Sequence, residues 1–246
     1  MLAGYINDLK FWLKNHPNKF YRNVFLILKK TRSLEIPTPQ VVNISFYFLY
    51  KFISNLINTT ARIALYTPAF KGRLSHYGKH LFLYGGLPYV SGPLRITVGD
   101  NCRISGQTTL SGRTHSTPPS LSIGSNVDIG WQTTIAVGQK VIIEDNVRIA
   151  GRAFLFGYSG HPLDANRRAL GEPDDEWQVG NIVLRRDVWL CTNVSVKHGV
   201  TIGEGTIVAA GSVVTGDLPP FVIAAGNPAK VIRSIEKPYS EEKHYA

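Results

Sequence analysis

The sequence predicts a β-solenoid built on a six-residue repeat, preceded by a helical region, and three observations carry that prediction. Aliphatic residues recur every six positions through the second half of the chain. A period of six matches neither the alternation of a single strand nor the 3.6-residue turn of a helix. The excess positive charge, +10 over 246 residues, is confined to the first third, where the apolar spacing is helical.

Taken in order, residues 1–66 read as helices. Tyr5, Ile6, Leu9, Trp12 and Leu13 mark one helical face, and Phe48, Leu49, Phe52, Ile53, Leu56 and Ile57 mark another. Between them "KFYRNVFLILKKTR" brackets an apolar run with basic residues, and "EIPTPQ" breaks the pattern. The run "VVNISFYFLYKFISNLI" is interrupted by Asn43, Lys51 and Asn55 and falls short of the roughly 18–20 clean apolar residues of a spanning helix. Residues 1–80 hold twelve Lys and Arg against Asp8 and Glu35, whereas residues 81–246 hold fifteen of each sign. A basic, aromatic, amphipathic region 1–80 is suited to an anionic membrane surface, reached through residues 1–66. Packing of these helices on the rest of the protein is the alternative. No recognition motif accompanies the charge, so nucleic acid is not an expected partner.

Asp8, Lys10 and Lys14 fall inside what would be the apolar core of an export signal. Cys102 and Cys191 form no framework and no zinc pattern, which fits a reducing compartment. The expected location is therefore cytoplasmic, peripheral on the inner face of the cytoplasmic membrane.

The repeat begins at Val98, Ile104 and Leu110, runs through Ile123, Ile129, Ile135 and Val141, and resumes two residues out of phase at Ile143, Ile149 and Leu155. It returns at Leu184, Leu190, Val196, Ile202, Val208 and Val214, each followed four positions later by a smaller or aliphatic residue such as Val188, Thr206 or Ser212. Each hexapeptide is then one short strand and a turn, and three of them close a triangular coil of about eighteen residues. Glycines close behind the aliphatic positions suit corners, where a side chain would crowd or φ would be positive. The period breaks at residues 111–122 and at 156–183, and the second break carries "GYSGHPLDANRRALG". Loops that leave a solenoid on one side commonly build its working face.

The repeats and the block "DVWLCTNVSVKHGVTIGEGTIVAAGSVVTGDLPPFVIAAGNPAKVIRSI" (187–235) resemble the left-handed β-helix, or hexapeptide-repeat, acyltransferases, nearest the maltose and galactoside O-acetyltransferases. The resemblance covers residues 94–235. It implies an all-β left-handed parallel β-helix, placed at residues 81–235 with an active-site loop at 156–183, after the α-helical region read from the apolar spacing and before a tail at 236–246. It also implies a homotrimer with active sites between neighbouring prisms, acetyl-CoA as co-substrate, a sugar hydroxyl as acceptor and no metal. His161 in the Gly-His-Pro sequence matches the family's general base, and an imidazole with a pKa near 6.5 is suited to taking a proton from a hydroxyl. The backbone N–H of Thr192 matches the donor to the tetrahedral oxyanion. Thr192, Ala210, Ser212 and Thr215 match positions along the coenzyme's pantetheine arm, and Lys230 and Arg233 match basic residues near its phosphates. Gln132 stands where the family has an acceptor-side asparagine, and Asp164 and Arg167 are acceptor-binding or loop-bracing candidates.

The family's small helical cap is replaced by residues 1–80, which shifts the expected acceptor from a free sugar to a cell-surface polysaccharide or its lipid-linked precursor. An N-acetyltransferase of an amino-sugar nucleotide and a non-catalytic scaffold remain as alternatives. A metal hydratase on the same fold would need three converging His ligands, and His115, His161 and His198 are isolated from one another in sequence.

Overall fold

Each hexapeptide becomes one short parallel strand, because its aliphatic residue can leave water only by turning inward. In the computed structural model, which describes residues 2–114 and 118–236, successive coils stack into two six-stranded sheets and one eight-stranded sheet. The three sheets are the faces of a left-handed parallel β-helix. On the first face Ile96, Leu121, Val141, Ile182 and Val200 pair in register. Leu83, Ile104, Ile129, Ile149, Leu190 and Val208 do so on the second face. Val90, Leu110, Ile135, Leu155, Val196 and Val214 form the column on the third. Nearly all of these side chains are fully buried and belong to one hydrophobic cluster. Burying each one contributes roughly 1.5–3 kcal/mol. The residues four positions on, Val188, Val194, Thr206 and Ser212 among them, are buried at the corners.

The corners divide two jobs that the sequence reading had combined. Gly99, Gly124 and Gly130 have ordinary φ, and what they require is space. A Cβ on Gly130 would lie 2.5 Å from the Gly151 nitrogen of the next coil. Positive φ falls instead at Asn101, Asn126, Asn146 and Asp187 on the edge between the first and second faces. Asparagine and aspartate are the non-glycine residues that enter this region most readily. Gly138 and Gln139 widen one turn, so that Leu121 pairs with Val141 and Ile123 with Ile143, which explains the change of phase.

A first coil, at His76–Tyr77, Phe82–Tyr84 and Tyr89–Ser91, precedes the earliest visible repeat. At the other end Val222–Gly226 joins the second face and Ala229–Ser234 folds back on it antiparallel.

The helices are α1 (Leu2–Asn15), α2 (Lys19–Thr31), α3 (Gln40–Ala61) and, after a π-helical turn at Arg62–Tyr66, α4 (Thr67–Lys71). The chain divides into two compact units, Met1–Ser54 and Asn55–Ala246. In the first, α1 and α2 form a hairpin clasped by Trp12, His16 and Tyr21, whose rings meet edge to face at 4.4–5.0 Å. Asn18 caps α2 by accepting the Phe20 N–H. No residue of α3 is buried. In the second unit Phe70 of α4 is fully buried and joins the prism core. Among the described residues no helix is long and apolar enough to cross a membrane. Residues 237–246 of the expected tail, and His115, lie outside the described residues.

Candidate active site

Both breaks in the repeat leave the prism at the same edge, between the third and first faces. They are joined there by a buried ion pair. Arg113, from the short break, donates through Nε to Asp174 Oδ1 at 2.9 Å and through Nη2 to the Asp174 carbonyl at 3.1 Å. Its Nη1 donates to Glu176 Oε1 at 3.0 Å. The other carboxylate oxygen of Asp174 accepts the N–H of Gly160 at 3.0 Å. Gly160 holds φ +82, open to glycine and costly for other residues, and it immediately precedes His161.

The His161 carbonyl is fixed from the far side of the loop. It accepts from Ser159 Oγ at 3.0 Å and from the buried Gln178 Nε2 at 3.2 Å. The backbone of His161 is thus pinned while its side chain stays exposed. Beside it is a cavity of about 180 Å³ lined by Arg113, Tyr158, His161 and Asp174.

Asp164 and Arg167 are engaged within the loop itself. Asp164 caps the short helix α5 (Ala165–Ala169) by accepting the Arg167 N–H at 2.8 Å. Arg167 reaches Glu172 at 2.7 Å and Asp175 at 2.8 Å, and these two carboxylates hold its guanidinium well above its ordinary pKa. His198, under the loop at the same edge, has its pKa lowered by burial and by Lys197, against a smaller opposing pull from Asp174.

Gln132, Thr192, Ala210 and Ser212 occupy the next edge, between the second and third faces, while Thr215 follows the last third-face strand and Lys230 and Arg233 lie in Ala229–Ser234 on the second face. Gln132, Arg152, Asn193 and Gly211 hold positive φ there in successive coils. Arg152 and Gly211 donate their N–H groups to the carbonyls of Trp131 and Thr192. Among the described residues the N–H groups of Thr192 and of its equivalents Gly151 and Ala210 donate to no other group. The edge therefore presents free N–H groups at Thr192 and Ala210, whereas Gly151 is buried beneath the Trp131 ring and Gln132 lies one coil further on. Ser212 is buried, its Oγ accepting the Gly226 N–H at 3.1 Å, while Thr215, Lys230 and Arg233 are exposed. Cys191, beside Thr192, has its thiol pKa raised by burial.

The structure thus gathers Gln132, Thr192 and Ala210 on one edge and sets His161, Asp164 and Arg167 on another. It also shows residues the sequence reading passed over. Arg113, Asp174 and Gln178 hold the His161 loop. Arg152 stacks over Trp131 at 4.7 Å and donates to Gln132 Oε1 at 3.1 Å. No motif in the sequence marks this pair, since Gln132 and Arg152 fill the corner position that Asn193 and Gly211 fill in the following coils. Among the described residues no three His, Cys, Asp or Glu side chains converge as a metal-binding group.

Comparison with known proteins bears on the fold and on the repeat that builds it. The family profile of bacterial transferase hexapeptide (six repeats) matches residues 181–216. Galactoside O-acetyltransferase of Escherichia coli (strain K12) is 39% identical over 134 residues, covering 52% of this chain and 62% of that protein. A putative acetyltransferase of Saccharomyces cerevisiae is 40% identical over 123 residues, covering 50% of this chain and 60% of that one. The chain thus spans about three fifths of the length of these two relatives. Among solved structures, AntD, an N-acyltransferase from Bacillus cereus in complex with dTDP-4-amino-4,6-dideoxyglucose and coenzyme A, superposes with a TM-score of 0.57 at 23% identity. That match covers 70% of this chain and 89% of AntD, a likeness of fold. The chain carries the hexapeptide repeat and is similar to the hexapeptide-repeat acetyltransferases.

Proposed function

We propose that this protein transfers an acetyl group from acetyl-CoA to a sugar hydroxyl, in sites completed between the chains of a homotrimer. One observation carries the reading. His161 is fixed and exposed on one edge of the prism, and the free N–H groups of Thr192 and Ala210 lie along another. The cavity of about 180 Å³ beside His161 is smaller than the roughly 300–1,000 Å³ of ordinary ligand sites. A neighbouring prism that brings its second edge against that loop supplies both the missing wall and the missing donors.

In that arrangement the His161 imidazole takes the hydroxyl proton as the acceptor oxygen attacks the thioester carbonyl. The Thr192 N–H donates to the oxyanion of the tetrahedral intermediate. Collapse of the intermediate breaks the carbon–sulfur bond, and the imidazolium returns its proton to the departing thiolate. The coenzyme arm runs past Thr192, Ala210 and the small Ser212 and Thr215, with Lys230 and Arg233 at its phosphates. Gln132, held by Arg152, faces the acceptor, and Asp164 and Arg167 set the loop wall beside it. Cys191 remains a thiol near neutral pH and does not compete as a nucleophile.

The acceptor we favour is a cell-surface polysaccharide or its lipid-linked precursor, met at the inner membrane face. Residues 1–54 support this, with eight Lys and Arg against Asp8 and Glu35 and with large exposed apolar side chains including Phe20, Leu26, Phe46 and Phe52.

The test is thiol release from acetyl-CoA over a panel of sugars, sugar nucleotides and lipid-linked glycans. Turnover with one acceptor class, reduced by about 10²–10⁴ in His161→Ala, is the expected result. An amide product would transfer the reading to N-acetylation. Undiminished turnover in the variant would remove His161 as the base, and absence of coenzyme binding would leave a scaffold.

A further inference from the structure

We infer that the cleft between α1 and α2 is a binding site for the headgroup of one anionic phospholipid. This rests on the membrane attachment proposed above and adds to it a defined place where one headgroup is held. The cleft has a volume of about 740 Å³, within the range of ordinary ligand sites. Phe11 and Phe25 line it, and Lys10, Lys14, Lys29 and Arg32 surround them.

The spacing explains how two helices build such a site. Lys10 and Lys14 are one turn apart on α1, and Lys29 in the last turn of α2 is followed one turn on by the C-cap residue Arg32, so each pair shares a side of its helix. The hairpin brings the two cationic faces to the rim of one apolar cleft. Neither Asp8 nor Glu35 lines it, and among the described residues none of the four cations is in an ion pair. Like charges one turn apart repel and destabilise a helix. Four of them around one cleft, with no acid to offset them, form an arrangement that an anion relieves.

The occupant must therefore be anionic at one end and apolar at the other. Phe11 is 71% exposed, an unfavourable placement in water that an acyl chain would correct. A phosphodiester headgroup between the lysines, with its glycerol and upper acyl carbons against Phe11 and Phe25, satisfies both demands.

The experiment is co-flotation of the full chain with vesicles of phosphatidylcholine alone and of phosphatidylcholine mixed with phosphatidylglycerol. The cleft variant is Lys14→Gln with Lys29→Gln. The control is Lys19→Gln with Arg22→Gln, which removes the same charge from α2 outside the cleft. Circular dichroism checks that both remain folded. We expect binding to the anionic vesicles only, weakened about fivefold for each cleft lysine removed and distinctly less in the control. Equal losses in the two variants would assign the effect to diffuse surface charge and overturn the site. Equal binding to both vesicle types would overturn the headgroup preference while leaving membrane attachment standing. Failure to bind either vesicle would overturn the attachment itself, and the site with it.

Discussion

Arg113 and Asp174 are 61 positions apart in sequence, and their side chains are each only 2% exposed, so neither charge has water as an alternative partner. Removing one member of a buried pair leaves the other uncompensated, at a cost of about 3–5 kcal/mol. Arg113→Met should therefore lower stability by about that amount. Because Asp174 also accepts the N–H beside His161, the change should lower turnover through kcat as well. Arg113→Met with Asp174→Asn removes both charges and should restore part of the stability. Denaturant unfolding of the two single variants and the double variant gives the coupling directly. Simple additivity would show that the pair does not act as a unit. The sequence could not announce this pair, since it belongs to two breaks in the repeat and follows no period. His161 was nominated by its Gly-His-Pro sequence and the family resemblance, whereas the groups that hold it carry no motif.

At the scale of the element, the coils were legible because each has only one way to bury its aliphatic residues. The first coil was not, because Leu83 and Val90 stand seven apart and a Gly85–Gly86 turn separates them. The last coils carry a pH-dependent element in His198, between Ser195–Lys197 on the third face and Val200–Ile202 on the first. Burial lowers its pKa in the fold, so the unfolded chain binds the proton more readily than the native one. Stability should then rise with pH from the folded pKa up to the ordinary value near 6.5 and be diminished below that window. Melting curves between pH 5 and pH 8 should slope less for His198→Gln than for wild type. An unchanged slope would place the pH dependence in other groups.

At the scale of the whole molecule, the decisive fact is that the loop of His161 and the column of Thr192 and Ala210 lie on different edges of the prism. The family resemblance nominated both sets of residues, yet a linear motif carries no information about which edge its residues reach, and only the coil register separates them. A site made from both needs His161 from one chain and the N–H column from its neighbour, and that arrangement predicts a specific pattern of complementation. His161→Ala removes the base, and Ala210→Trp blocks the column by placing a large side chain on it, so each variant alone should be inactive. Refolded together in equal amounts, they form some junctions in which a chain with an intact His161 meets a neighbour with an intact column. For random assembly into a ring of heterologous contacts, each junction draws its two edges independently, and about a quarter of wild-type activity should return. A site contained in one chain would return none, because no single chain in the mixture carries both intact edges. Thiol release measured against the proportion of the two variants distinguishes these cases, with a maximum at equal amounts if the site is shared and a flat baseline if it is not.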